Sequence, residues 1–142
     1  MKDDIMKEDI MNDPNKIINK DYTYAIIGAS NNTEKYGHKV LNDLKNSGYK
    51  VIPINPKGEK ILGLKTYKTL EEANEEQKNI DVVIFVVPPR ITEDILNSVK
   101  KINIKKVWLQ PGSESKEAIE FCKENNIECV HDMCIMIRRI SN

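Results

Sequence analysis

The sequence predicts an α/β fold, a single domain built on a doubly wound, parallel five-stranded sheet, and three observations carry that reading. Apolar runs of strand length alternate with helical segments from residue 22 onward. The strongest run, Asp81-Val82-Val83-Ile84-Phe85-Val86-Val87, has no polar alternation, as expected of a strand covered on both faces. Each strand ends in a short cluster of small, proline-containing or polar residues. Such alternation implies right-handed crossovers, a parallel sheet and helices on both faces. A chain of 142 residues is long enough for one domain with a sizeable core.

Taken in order, residues 1–20 read as a flexible tail or a loosely attached helix, and residues 21–142 as the folded domain. Pro14 interrupts any helix in the tail, and Ile5, Ile10, Ile17 and Ile18 could dock on the body despite poor spacing. Thr23 to Ile27 is the first strand, followed by the small-residue turn Gly28-Ala29-Ser30. A polar loop leads to a helix starting near Tyr36-Gly37, with Val40, Leu41 and Leu44 on its apolar stripe and Gly48 as its stop. Tyr49 to Ile54 is the second strand, and Pro53 within it suggests either a place near a sheet edge or a locally freed N–H. Residues 61–67 form a short excursion before Thr69 caps a Glu-rich helix whose Glu71 to Glu76 run is a solvated face.

After the central strand, Thr92 is expected to cap a helix with Ile95, Val99 and Ile102 on one face. Lys106 to Leu109 is the fourth strand. Ser113 is expected to cap the next helix, with Glu114 in its first turn and Ala118, Phe121 and Cys122 inward. Asn125-Asn126 ends that helix, Ile127 to Val130 is the fifth strand, and a helical tail runs from Met133 to about Arg138. Tyr22, Tyr24 and Trp108 are candidates for an interface, although nothing fixes an oligomeric state.

Composition excludes several classes. Lysine plus arginine and aspartate plus glutamate each number 22, so the formal net charge is zero and there is no electrostatic case for nucleic acid or an anionic membrane. No apolar run approaches the roughly 20 residues of a membrane span. The N-terminus has neither the apolar stretch nor the cleavage site of a secretory signal. The odd count of three cysteines, Cys122, Cys129 and Cys134, fits no disulfide framework and suggests a reducing, cytoplasmic setting.

Ligands of open parallel sheets lie beyond the C-terminal strand ends, where strand order reverses. The informative corners are therefore Gly28-Ala29-Ser30, Asn55-Pro56-Lys57, Val87-Pro88-Pro89 and Gln110-Pro111-Gly112, which should gather on one edge. A strand, a small turn and a helix N-terminus suit an anionic ligand, because the helix start offers unpaired N–H groups and a partial positive charge. Gly28 and Ala29 would let a pyrophosphate approach the backbone; the plainer alternative is a tight turn that needs small residues for packing. The turn does not match G-x-G-x-x-G. A site for NAD wants a carboxylate after the second strand, whereas this chain has Asn55-Pro56-Lys57. A cation there favours extra phosphate near the ribose, as in NADP or coenzyme A, although an isolated turn lysine is as often simply solvated.

These motifs together carry a resemblance. Gly28-Ala29-Ser30, the Tyr36-Gly37 helix start, Val51 to Lys57, Val86-Val87-Pro88-Pro89 and Val107-Trp108-Leu109-Gln110-Pro111-Gly112 stand in the order found in the CoA-binding protein family. That single-domain, Rossmann-like family is similar to the N-terminal domain of the succinyl-CoA synthetase alpha subunit. The match covers roughly residues 22–137. The resemblance implies coenzyme A held through its ADP moiety: pyrophosphate at Ser30 and the Tyr36-Gly37 helix start, the 3′-phosphate beside Asn55, Pro56 and Lys57, adenine along Val87-Pro88-Pro89, and Gln110 and Gly112 flanking the pantetheine exit. Pro111 departs from the family pattern and removes an N–H donor at the mouth.

No catalytic constellation is evident. His38, in the first turn of the phosphate-facing helix, reads as a surface or phosphate-side residue, because the helix N-terminus disfavours imidazolium. His131 precedes Asp132, a neighbour pair that usually makes a local hydrogen bond. Ser30 is not in a nucleophile elbow, since Asn32 replaces the final glycine. Cys129, His131 and Cys134 do not form a four-ligand zinc spacing. Cys134 reads either as a buried small hydrophobe or as a thiol facing the coenzyme thiol. The expectation is a CoA-binding module without a reaction of its own; an NADP-dependent reductase or nicotinamide-linked redox regulator is the alternative.

Overall fold

The computed structural model describes residues 12–141, so the reading of Ile5 and Ile10 lies outside the described residues. After a short 3-10 turn at Pro14–Lys16, the elements are β1 (Thr23–Ile27), α1 (Tyr36–Asn46), β2 (Lys50–Ile54), α2 (Leu70–Gln77), β3 (Val82–Phe85), α3 (Pro89–Lys101), β4 (Lys106–Leu109), α4 (Lys116–Glu124), β5 (Glu128–Val130) and α5 (Ile135–Ser141). The five strands form one parallel sheet in the order β2-β1-β3-β4-β5. Strand order therefore reverses between β1 and β3. The expected α/β, doubly wound, Rossmann-like fold is the fold observed.

Strand side chains alternate between two cores. Ala25, Ile27, Val83, Phe85, Val107 and Leu109 pack with Leu70, Ala73, Leu96, Val99, Ala118 and Cys122 of α2, α3 and α4. Tyr24, Ile26, Val82, Ile84, Trp108 and Val130 face the other way, onto Val40, Leu41 and Leu44 of α1 and Ile135 of α5. Both faces being covered, the central strands have no position for a polar residue. Pro53 sits on the edge strand, as its missing N–H requires; its carbonyl accepts from Tyr67 N–H on the outer side (3.1 Å).

Several expectations need correction. Ile17 and Ile18 are buried in the second core, so this part of residues 1–20 belongs to the folded body. Tyr24 fastens it: its hydroxyl donates to the Ile17 carbonyl (2.6 Å) and accepts from Asn19 N–H (2.9 Å). Tyr24 and Trp108 are fully buried and offer no interface. Thr92 does not cap α3, which begins at Pro89, where a ring with fixed φ and no N–H suits the first helical position. Thr92 lies inside the helix, buried. Ser115, not Ser113, caps α4 by accepting from Ala118 N–H (3.0 Å), and Glu114 lies before the helix. The last helix begins at Ile135 rather than Met133 and runs to Ser141.

Burial pushes the Tyr24 phenol up to about 12, against an ordinary value of 10.0. The folded state thus keeps a proton that the unfolded chain releases above pH 10, and stability falls as pH rises from 10 toward 12. Tyr24→Phe should remove this extra alkaline loss, about 2–3 kcal/mol for two pH units, while costing stability at neutral pH through the lost bonds. Urea midpoints of the two proteins between pH 7 and 12 would check this; parallel curves would refute it.

Candidate functional site

Because the strands are parallel and in register, Ile27, Ile54, Phe85 and Leu109 end at one edge. The residues that follow are stitched together across it. Asn55 Nδ2 donates to the Ala29 carbonyl (2.7 Å), joining the corners after β2 and β1. Gly28 packs on Val86 and Val87, joining those after β1 and β3. Val87 N–H donates to Ser113 Oγ (3.0 Å), joining those after β3 and β4. Gln110 reaches the start of α5, its Oε1 accepting from Ile135 N–H (2.8 Å). The four corners are gathered as expected.

The small residues serve packing first. Gly28 has φ +96°, and a Cβ on it would lie 2.2 Å from the Val86 carbonyl oxygen. A Cβ on Gly37 would lie 1.8 Å from the Gly28 carbonyl oxygen. Neither distance is tolerable: Gly37 lets α1 sit directly on the turn after β1, and Gly28 lets that turn lie against the corner after β3. Ala29 is fully buried in the core beneath.

Beside this turn lies a cleft of ≈ 300 Å³ between the Ser30–Lys35 loop and the Asn55–Glu59 corner. Ser30, Asn55 and Lys57 line it, together with Asn31, Asn32, Lys35 and Glu59, which the sequence reading passed over. Lys35 stands immediately before α1, at the N-cap, where no side chain caps the helix; its place just ahead of Tyr36-Gly37 was the available signal. Asn31 Nδ2 donates to the Lys60 carbonyl (3.0 Å) and ties the two walls together. Two ammonium groups against one carboxylate suit an anion, and the volume is at the lower end for a small-molecule site. Larger hollows of ≈ 500 Å³ and ≈ 480 Å³ flank Tyr67 on the outer side of β2. Neither is lined by a residue of the turn after β1, and Lys65 on their wall is already paired with Glu76 (2.7 Å), so the smaller cleft is the stronger candidate.

Other residues land differently from expectation. The Asn55 side chain is fully engaged by the protein, its Oδ1 accepting from Lys57 N–H (2.8 Å). It shapes the corner. Lys57 is exposed at the cleft and Pro56 beside it is exposed. Val87 and Pro89 are half-buried, and Pro88 is exposed at the start of α3. Gln110 is buried, and its Nε2 donates to Cys134 Sγ (3.4 Å), so its side chain is spent on α5 rather than turned to the edge. Gly112 is exposed, its N–H donating to Glu114 Oε1 (2.9 Å). Cys134 is half-buried. Tyr36 is largely exposed beside Lys39. His38 donates from Nδ1 to the Ser30 carbonyl (2.8 Å), and His131 pairs with Asp132 as a local bond.

A parallel sheet with its corners drawn to one edge, and a cationic cleft beside the turn after β1, is the architecture of the doubly wound, Rossmann-like α/β class. The chain belongs to the CoA binding domain family, whose pattern its residues 22–139 match. It is 34% identical over 130 residues to an ADP-forming acetate–CoA ligase of Methanocaldococcus jannaschii, covering 86% of this chain but only 18% of the ligase. It is 27% identical to the protein YneT of Bacillus subtilis, covering 86% of this chain and 88% of that one. A solved structure of a conserved hypothetical protein from Pyrococcus furiosus is 38% identical, with a TM-score of 0.77, covering 82% of this chain and 98% of that one. Among the described residues no helix is long and apolar enough to cross a membrane.

Gly37→Ala should destabilise the fold by about 3 kcal/mol, because backbone on both sides prevents relief of the overlap. A denaturation midpoint close to the wild type would show that α1 does not sit on the turn as described.

Proposed function

We propose that the chain binds coenzyme A, free or acylated, through its ADP moiety at the C-terminal edge of the sheet, as a binding module without a reaction of its own. The observation that carries this reading is the cleft lined by Lys35 and Lys57 beside the α1 N-terminus. Phosphates approaching there meet the positive end of a helix dipole and two ammonium groups. The donor set favours a phosphorylated ribose over a bare one: Asn55-Pro56-Lys57 follows β2 directly, where a site for a bare ribose has its carboxylate, and Glu59 is one carboxylate against the two ammonium groups of the cleft. Membership in the CoA binding domain family, and likeness to a CoA ligase, support coenzyme A over NADP.

In this reading Lys57 meets the 3′-phosphate, and the Ser30 and Tyr36-Gly37 region receives the pyrophosphate. Val87, Pro88 and Pro89 offer an apolar wall to adenine, and the pantetheine arm leaves past Gly112 with Cys134 as its thiol neighbour. The setting is cytoplasmic, where coenzyme A and three unpaired thiols coexist.

Calorimetric titration with CoA, dephospho-CoA, NADP and NAD tests this. CoA should bind most tightly, and Lys57→Ala should weaken CoA about tenfold while leaving dephospho-CoA nearly unchanged. Binding of NAD with none of CoA would overturn the reading; equal losses for CoA and dephospho-CoA would return Lys57 to the role of a solvated turn residue.

A further inference from the structure

A phosphate can settle on a backbone turn only if the turn presents N–H groups and not carbonyl oxygens. Three consecutive carbonyls follow β1, and each is turned onto the protein. The Gly28 oxygen lies against the Gly37 backbone, leaving no room for a Cβ. The Ala29 oxygen accepts from Asn55 Nδ2 at 2.7 Å. The Ser30 oxygen accepts from His38 Nδ1 at 2.8 Å. A carbonyl can only accept, so His38 carries its proton on Nδ1. In a trans peptide the N–H points opposite to the C=O. Fixing the Ser30 carbonyl on His38 therefore turns the Asn31 N–H away from His38. That N–H has no hydrogen-bond partner among the described residues, and Asn31 lines the cleft whereas His38 does not.

We propose that His38 is a positioning residue for phosphate binding: it holds the Ser30 carbonyl out of the path of the anion and leaves the Asn31 amide as a donor to it. This rests on the CoA-binding reading above. His38 touches no ligand. If the Ser30–Asn31 peptide were free to flip, its carbonyl oxygen would face the phosphate and repel it. A neutral imidazole suffices, since the anchoring bond needs only the Nδ1 proton. Asn55 does the same for the Ala29 carbonyl from the opposite wall.

The test uses the whole chain, labelled with nitrogen-15 and titrated with ADP and with adenosine. In the wild type, ADP should shift the Asn31 amide strongly and adenosine should not. His38→Leu should weaken ADP about tenfold, as expected for one charge-assisted bond, and leave adenosine nearly unchanged. His38→Asn keeps a side-chain N–H near the same place and should recover most of the loss. Equal effects on both ligands, or no effect, with wild-type binding intact, would overturn the proposal and leave the CoA reading standing. A wild-type chain that binds neither CoA nor ADP would overturn both. If His38→Leu does not fold, the wild-type titration decides: an Asn31 amide that stays still while signals around Lys57 move would overturn the proposal.

Discussion

The edge of this sheet depends on a backbone-to-backbone contact: Gly37 of α1 resting on the Gly28 carbonyl. The side chain missing at Gly37 lets a helix start on top of the turn that feeds it. The consequences run outward from there. With α1 seated so low, His38 is within reach of the Ser30 carbonyl. Lys35, just before the helix, borders the cleft. Gly28 in turn lies against Val86 and Val87, so the same contact fixes α1 relative to β3 across the point where strand order reverses.

Polar stitches continue that fixing along the edge, from Asn55 to Ala29, from Val87 to Ser113 and from Gln110 to Ile135. Their energies decide what they do. A net hydrogen bond contributes about 0.5–1.5 kcal/mol, against about 1.5–3 kcal/mol for each large apolar side chain taken out of water. The cores on the two faces of the sheet, with Trp108, Phe85, Leu41 and Leu96 fully buried, hold the fold together. The stitches choose the shape of its edge. Gln110 and Ser113 are buried polar residues with their bonds made inside the protein, which is the condition for tolerating them there.

The cleft follows from this division of labour. Its walls are a loop and a turn, yet each is tied to rigid elements, one through His38 and α1, the other through Asn55 and β1. Asn31 links them to each other through the Lys60 carbonyl. Walls held in this way cost little ordering when a ligand arrives. Lys35 and Lys57 are exposed, so their attraction for an anion is screened by salt.

The sequence by itself determined the five strands, their parallel arrangement and the four corners. These follow from local periodicity and from steric rules that act within a few residues. It also gave the family resemblance, which residues 22–139 bear out. Tertiary structure alone decided where polar side chains spend their bonds. Ser113 and Ser115 are equally good caps by local chemistry, but the unpaired N–H of Val87, 26 residues away in the chain, draws in Ser113 and leaves the helix to Ser115. Gln110 looked like a residue of the edge, yet a helix start 25 residues on takes its side chain. Ile17 and Ile18 have no useful spacing and still join the core, because Tyr24 bonds the backbone beside them. A pattern read along a chain records which side chains avoid water; it does not record which distant donor meets which acceptor, since that depends on how the sheet brings separate corners together.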